Sequence, residues 1–222
     1  WQVKAAPASS GTPATTPSLV LLVVVDQLRG DMPWRFQERF SDGGFRYLMD
    51  NGTSFLNAQY HHANTLTAAG HATLVTGGNA SQHGMAANTW FDASKGRNVY
   101  CVEDPQSPVL GAWIEDEAGS GRSPRNLTSS TIADELVMTS GGRSRAFAVS
   151  AKDRSAIIMG GRLGKSFWYS KASGRFTSSR YYFEALPHWA ESRPAVRGAD
   201  RYRGSTWKLL QARDRYVFDD HD

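Results

Sequence analysis

A single cysteine, Cys101, stands in the 222 residues, which excludes an internal disulfide and any metal site built from several thiolates. Its ordinary reading is a small buried apolar residue. Long apolar runs are missing too. The run LVLLVVV, Leu19 to Val25, spans seven residues, far below the roughly 20 that cross a bilayer. It ends on an acid and follows no basic start, unlike a secretory signal. Neither sign of charge dominates: 25 Lys and Arg against 21 Asp and Glu give +4, scattered without the basic stripe that nucleic acid would need. No G-x-G-x-x-G follows the apolar run, so a dinucleotide fold is excluded. With 40% hydrophobic and 21% charged residues, general disorder is excluded as well.

What is present alternates in character. Residues 1–18 are rich in Ala, Ser, Thr and Pro and are expected to be a flexible leader. The run to Asp26 reads as a buried strand that stops on a carboxylate, followed by a loop and then a helix bearing Phe36, Phe40, Phe45, Tyr47, Leu48 and Met49, interrupted at Gly43-Gly44. Asn51-Gly52 marks a turn, and Thr53 to Tyr60 a short second strand. TWFDASKGRNVYCV, Thr89 to Val102, reads as a hairpin turning near Ser94 to Gly96. SSTIADELVMTS is an amphipathic helix from near Ser129, and AFAVS a strand followed by KDR and AIIMGG. This alternation argues for an α/β fold with a mainly parallel central sheet flanked by helices. Residues 19–164 form its body. The aromatic and arginine-rich stretch 165–222, with a second hairpin in FWYSKASGRFTSSRYYF, is expected to be an insertion or lid.

The stretch from His62 to Asn88 carries the candidate chemistry. Thr67 precedes Ala-Ala-Gly-His-Ala and a short apolar series, so it should open a helix. Unpaired N–H groups and the positive end of the helix dipole stabilise an anion there. A hydroxyl held against them and against a divalent cation ionises more easily, which suits a nucleophile. Asp26 ends a strand and the pair Lys152 and Arg154 follows another, beyond the carboxyl ends of the strands where open α/β sheets collect ligands. In an extended segment Lys152 and Arg154 would point the same way. Each residue has an ordinary reading: Thr67 and Asp26 as caps, Asn88 as a turn residue, the cations as a solvated loop. Their joint occurrence in order favours a site.

The ordered motifs VVVDQLRGD, TLTAAGHATLVTG, HGMAAN and AKDR resemble the alkaline phosphatase superfamily, within it the threonine-nucleophile alkaline phosphatases related to the type I phosphodiesterases and nucleotide pyrophosphatases. The resemblance implies a metal-dependent phosphomonoesterase working through a phosphothreonine at Thr67. Asp26 and Thr67 would be ligands of one of two zinc ions, and Asn88, Lys152 and Arg154 would stabilise the phosphoryl group. It implies a periplasmic or secreted enzyme acting on small-molecule phosphate monoesters, with no nucleic-acid or membrane partner. The remaining ligands would come from a D-x-x-x-H and a D-H-G-like segment. Neither occurs; Asp220-His221 is followed by Asp where Gly is expected. These 222 residues are therefore expected to be the N-terminal part of a longer enzyme. A phosphodiesterase or pyrophosphatase on the same scaffold, or an inactive fragment lacking its metal ligands, are the alternatives. A sulfatase is disfavoured, since no Cys-x-Pro-x-Arg or Ser-x-Pro-x-Arg segment is present.

Overall fold

The computed structural model describes residues 17–111, 121–191 and 202–216. Two sheets form among them. Strands β1 (Thr89–Asp92) and β2 (Arg97–Tyr100) make the expected hairpin, with Asp92 opposite Arg97 across a four-residue turn. The Asp92 carboxylate accepts from the backbone N–H and hydroxyl of Ser94 and from the Lys95 ammonium, and Gly96 supplies the positive φ of 63° that closes the turn.

The second sheet has three strands in the order β3 (Phe147–Ser150), β4 (Lys165–Ser170) and β5 (Arg175–Thr177). β3 and β4 are parallel and are joined through a helix, Asp153–Gly160, whereas β4 and β5 form an antiparallel hairpin. The segment expected to lie over the sheet thus lies in it from Lys165 to Thr177. Phe167 and Trp168 are buried, and Trp168 joins the main core. The α/β class holds, with one parallel pair among the described residues.

The helices are short: α1 (Met32–Arg35), α2 (Phe45–Asn51), α3 (Thr67–Thr76), α4 (Ala80–His83), α5 (Ile132–Thr139), α6 (Asp153–Gly160) and α7 (His188–Glu191). α3 opens on Thr67 as its sequence predicts and stops where Gly77 adopts the left-handed conformation at φ 69°. Its Ala68, Ala69, Gly70 and Ala72 are buried, and such small side chains let it pack closely against α6. There Ala68, Ala72 and Val75 meet a core of Ala156, Ile157, Ile158, Cys101, Val102, Leu127 and Met85. α5 begins three residues later than its sequence suggested, because Thr131 rather than Ser129 or Ser130 makes the cap. Its hydroxyl accepts from the Asp134 N–H while the Asp134 carboxylate accepts from Thr131. The same buried carboxylate takes the N–H groups of Arg162 and Leu163 at 2.8 Å each, tying α5 to the turn that leaves α6. Within that turn Gly161 has φ 62°, and a Cβ there would collide with the Thr131 hydroxyl and the Asp134 carboxylate.

Two expected strands are absent from the described structure. Leu19 to Val25 is irregular, with Leu19 and Leu21 each 80% exposed. Thr53 to Tyr60 is likewise irregular, and Phe55 and Leu56 lie in solvent. A strand exists through its ladder of cross-strand hydrogen bonds, and neither segment has a partner strand among the described residues. Composition identified apolar runs but could not supply partners. The leader lies outside the described residues up to 16, and so do Asp220 and His221.

Candidate active site

Thr67 and Asp26, 41 residues apart in sequence, meet. The Thr67 hydroxyl donates to Asp26 Oδ2 at 3.3 Å. Asp26 leaves the apolar run just before Gln27, a non-glycine residue at φ 62°, and such a backbone persists where the surroundings hold it. Both face a cleft of about 270 Å³ lined also by Tyr60, Leu66, Gly70 and His71. His71 is buried, and its Nδ1 lies 2.8 Å from the Thr67 carbonyl. A carbonyl only accepts, so that nitrogen carries the proton and holds the first turn of α3.

Asn88 stands at the base of the β1–β2 hairpin, where its carbonyl accepts from the Cys101 N–H at 3.0 Å. Its side-chain oxygen accepts from the Ala68 N–H, next to Thr67, at 2.9 Å. That contact fixes which end of the amide is which: Oδ1 is engaged, and the Nδ2 donors remain available to an incoming oxygen.

Lys152 and Arg154 are placed differently from the extended pair expected. Lys152 is the N-cap of α6 and Arg154 belongs to its first turn, so a helical step separates them. An apolar series, Ala156 to Met159, follows with helical spacing and carries the segment into α6. Lys152 is exposed and lines a second cleft of about 220 Å³ with Arg122, Trp168, Tyr169 and Lys171. Arg154 is half-buried; its Nη1 donates to the Tyr100 hydroxyl at 3.3 Å, and its buried Nε has no partner among the described residues. An unpaired buried guanidinium N–H is costly to leave unmet, and it is suited to a ligand oxygen. Thr67, Asn88 and Arg154 are therefore linked through the hairpin: Thr67 adjoins Ala68, which binds Asn88, whose carbonyl holds Cys101 beside Tyr100, the partner of Arg154.

Sequence reading missed the groups around that arginine. Tyr100 donates to Asp153 Oδ1 at 2.7 Å, Arg122 Nε pairs with Asp153 Oδ2 at 2.6 Å, and the Arg122 guanidinium stacks over the Tyr100 ring at 5.1 Å. Burial pushes the Tyr100 phenol up, and the Asp153 charge adds to the shift. Only Asp153, lying between Lys152 and Arg154, was within reach of a motif. Cys101, next to Tyr100, is buried, and burial foremost, with Asp153 second, pushes its thiol up to about 12. It is no nucleophile at neutral pH.

A second missed cluster lies behind α3. Thr73 Oγ1 stands 3.1 Å from His62 Nε2 and 3.2 Å from His83 Nε2. The Met85 N–H donates to His83 Nδ1, so the His83 proton sits on Nε2 and points at Thr73. His62 Nδ1 faces the Asn64 carbonyl at 2.9 Å and is the protonated nitrogen of that ring, so Thr73 donates to His62 Nε2. The chain of bonds pins the loop that leads into Thr67. Burial first, then His62, lowers the pKa of the fully buried His83 below its ordinary 6.5. A depressed folded-state value means that its stabilising contribution is complete above 6.5 and is lost as the pH falls. The melting temperature should drop by a few degrees more between pH 7 and pH 5 in the parent than in His83→Gln. Equal drops by differential scanning calorimetry would refute this.

Thr67 and Asp26 also fit part of a metal cradle. Two oxygens each about 2.0 Å from one tetrahedral ion are about 3.3 Å apart, the separation of Thr67 Oγ1 and Asp26 Oδ2. The pair suits half of such a sphere. Among the described residues no group of three His, Cys, Asp or Glu stands together to complete it.

Comparison with known proteins decides the family. Residues 20–218 match the family model described as type I phosphodiesterase / nucleotide pyrophosphatase. The chain belongs to that family. Among curated relatives, alkaline phosphatase PhoV of Synechococcus elongatus is 37% identical over 217 residues, 97% of this chain and 39% of that protein. Alkaline phosphatase PafA of Elizabethkingia meningoseptica is 37% identical over 174 residues, 78% of this chain and 32% of that one. The crystal structure of wild-type PafA superposes with a TM-score of 0.81 at 32% identity, covering 87% of this chain and 37% of that chain. This chain of the phosphodiesterase family thus has an alkaline-phosphatase-like α/β fold and spans between 32% and 39% of the length of these relatives. No helix among the described residues is long and apolar enough to cross a membrane.

Proposed function

We propose that this chain contributes the nucleophile-bearing part of a metal-dependent alkaline phosphatase that hydrolyses small phosphate monoesters in an exported compartment. The observation that carries the reading is the meeting of Thr67 and Asp26 at 3.3 Å, at the N-terminus of α3. The Thr67 oxygen attacks phosphorus, the bond to the leaving oxygen breaks, and the phosphoryl group is held as a phosphothreonine ester until water displaces it. A monoester keeps its charge on three nonbridging oxygens through a loose transition state, so positioning and electrostatics supply most of the catalysis. Asn88 Nδ2, its oxygen already occupied by Ala68, offers one donor. Arg154 offers a planar fork and Lys152 a compact charge.

Asp26 and Thr67 would be ligands in a two-zinc centre whose other ligands come from sequence beyond these residues. Bound zinc supplies the positive charge that lowers the cost of an ionised threonine. The names of the relatives support the monoesterase reading, and the family description favours a second one, diester or pyrophosphate cleavage on the same scaffold. Paired assays of the complete enzyme on aryl monoester and diester substrates separate them. The expected result is a monoester kcat/KM at least about 100-fold the greater, lost on chelation and restored by zinc. A diester preference would overturn it.

A further inference from the structure

The carboxylate of Asp153 sits between two arginines and is committed to only one of them. Its Oδ2 accepts from Arg122 Nε at 2.6 Å; its Oδ1 accepts from the Tyr100 hydroxyl and from the backbone N–H of Arg154, each at 2.7 Å. No side-chain nitrogen of Arg154 reaches it. The arginine instead donates Nη1 to the oxygen of Tyr100, whose own proton is turned toward Asp153. Neighbouring side chains on a helix do not face each other, so Arg154 turns past Asp153 to the Tyr100 oxygen. Here the acceptor positions of that carboxylate are filled from elsewhere.

We propose that Tyr100, Asp153 and Arg122 form a positioning clamp that keeps the Arg154 guanidinium unneutralised and aimed at a phosphoryl group. Arg122 pairs with the negative charge of Asp153, and its Cζ lies over the Tyr100 ring, 5.1 Å from the centroid. Tyr100 offers Arg154 a neutral acceptor, which orients the fork without cancelling its charge. The unmet buried Nε is then the donor left for substrate. The clamp decides how strongly the site favours a dianionic monoester over a monoanionic diester, because that preference scales with uncompensated positive charge. This rests on the monoesterase reading above.

The test uses the complete enzyme and its kcat/KM on para-nitrophenyl phosphate and on bis(para-nitrophenyl) phosphate. Tyr100→Phe and Arg122→Met should each lower the monoester value about tenfold and the diester value by less than about threefold. Asp153→Asn added to Arg122→Met should restore most of the loss, since no charge remains to capture Arg154. In an Arg154→Ala background, Tyr100→Phe should cost less than about twofold. Melting temperatures of all variants exclude unfolding as the cause. Should Arg122→Met fail to fold, the Tyr100→Phe comparison in the two backgrounds decides alone. Equal losses with and without Arg154, or equal losses on the two substrates, overturn the clamp and leave the monoesterase reading standing. An Arg154→Ala enzyme as active on monoesters as its parent overturns both.

Discussion

Thr67→Ala in the complete enzyme should abolish monoester turnover, lowering kcat by at least about a thousandfold while substrate binding changes far less. The expectation follows from where the hydroxyl sits. It opens α3, where the helix dipole favours negative charge, and it donates a hydrogen bond to Asp26 Oδ2 at 3.3 Å. The His71 ring, which lines the same cleft, is engaged by the Thr67 carbonyl. Thr67→Ser keeps the oxygen and should retain activity within about 100-fold of the parent. Its missing methyl loosens the rotamer, so the two substitutions separate loss of a nucleophile from loss of its aim. Stopped-flow assays on an aryl phosphate, with acid-quenched protein examined by mass spectrometry for a phosphoryl adduct, provide the measurement. An alanine variant within a few-fold of the parent would remove the nucleophile assignment.

Replacing both Lys152 and Arg154 with alanine should cost monoester hydrolysis roughly a thousandfold and diester hydrolysis about tenfold or less. A diester carries one charge fewer and an additional substituent, so it gains less from two cations. The halves of the pair should contribute unequally. Arg154 is half-buried and already oriented by Tyr100, whereas Lys152 is exposed and has to order a flexible chain before it can act. Arg154→Ala alone should therefore account for most of the loss. Parallel kcat/KM measurements on the two ester classes decide it, and equal losses on both would sever the pair from monoester preference.

The helix at Thr67, the β1–β2 hairpin and the strand before Lys152 were legible because each is a local pattern: small residues followed by a short apolar series, a turn between two strand-like runs, an apolar run. The apolar runs at 19–25 and 53–60 were legible as apolar and illegible as irregular, because a strand depends on a neighbour no local pattern names. The stretch beginning at Lys165 was judged by its aromatics and arginines. Its parallel pairing with β3 depends on Ala148 meeting Ser166, which composition cannot express. At the candidate site, order along the chain proposed Asp26, Thr67, Asn88, Lys152 and Arg154, but it gave the last two an extended backbone where a helix begins. Tyr100 and Arg122 escaped because they approach Asp153 from 53 and 31 residues away. The His62, Thr73 and His83 chain escaped because three ordinary residues become a unit only once α3 folds back on its loop.

The turn after α6 leaves no room for adjustment. Gly161 lies against the Thr131 cap and Asp134, and Gly160 against Ser166 and Ala148, while the opposite end of the helix is bolted through Asp153. A rod fastened at both ends cannot slide to suit a bulkier guest. Any accommodation would then have to come from side chains on the cleft walls and not from a shift of this helix.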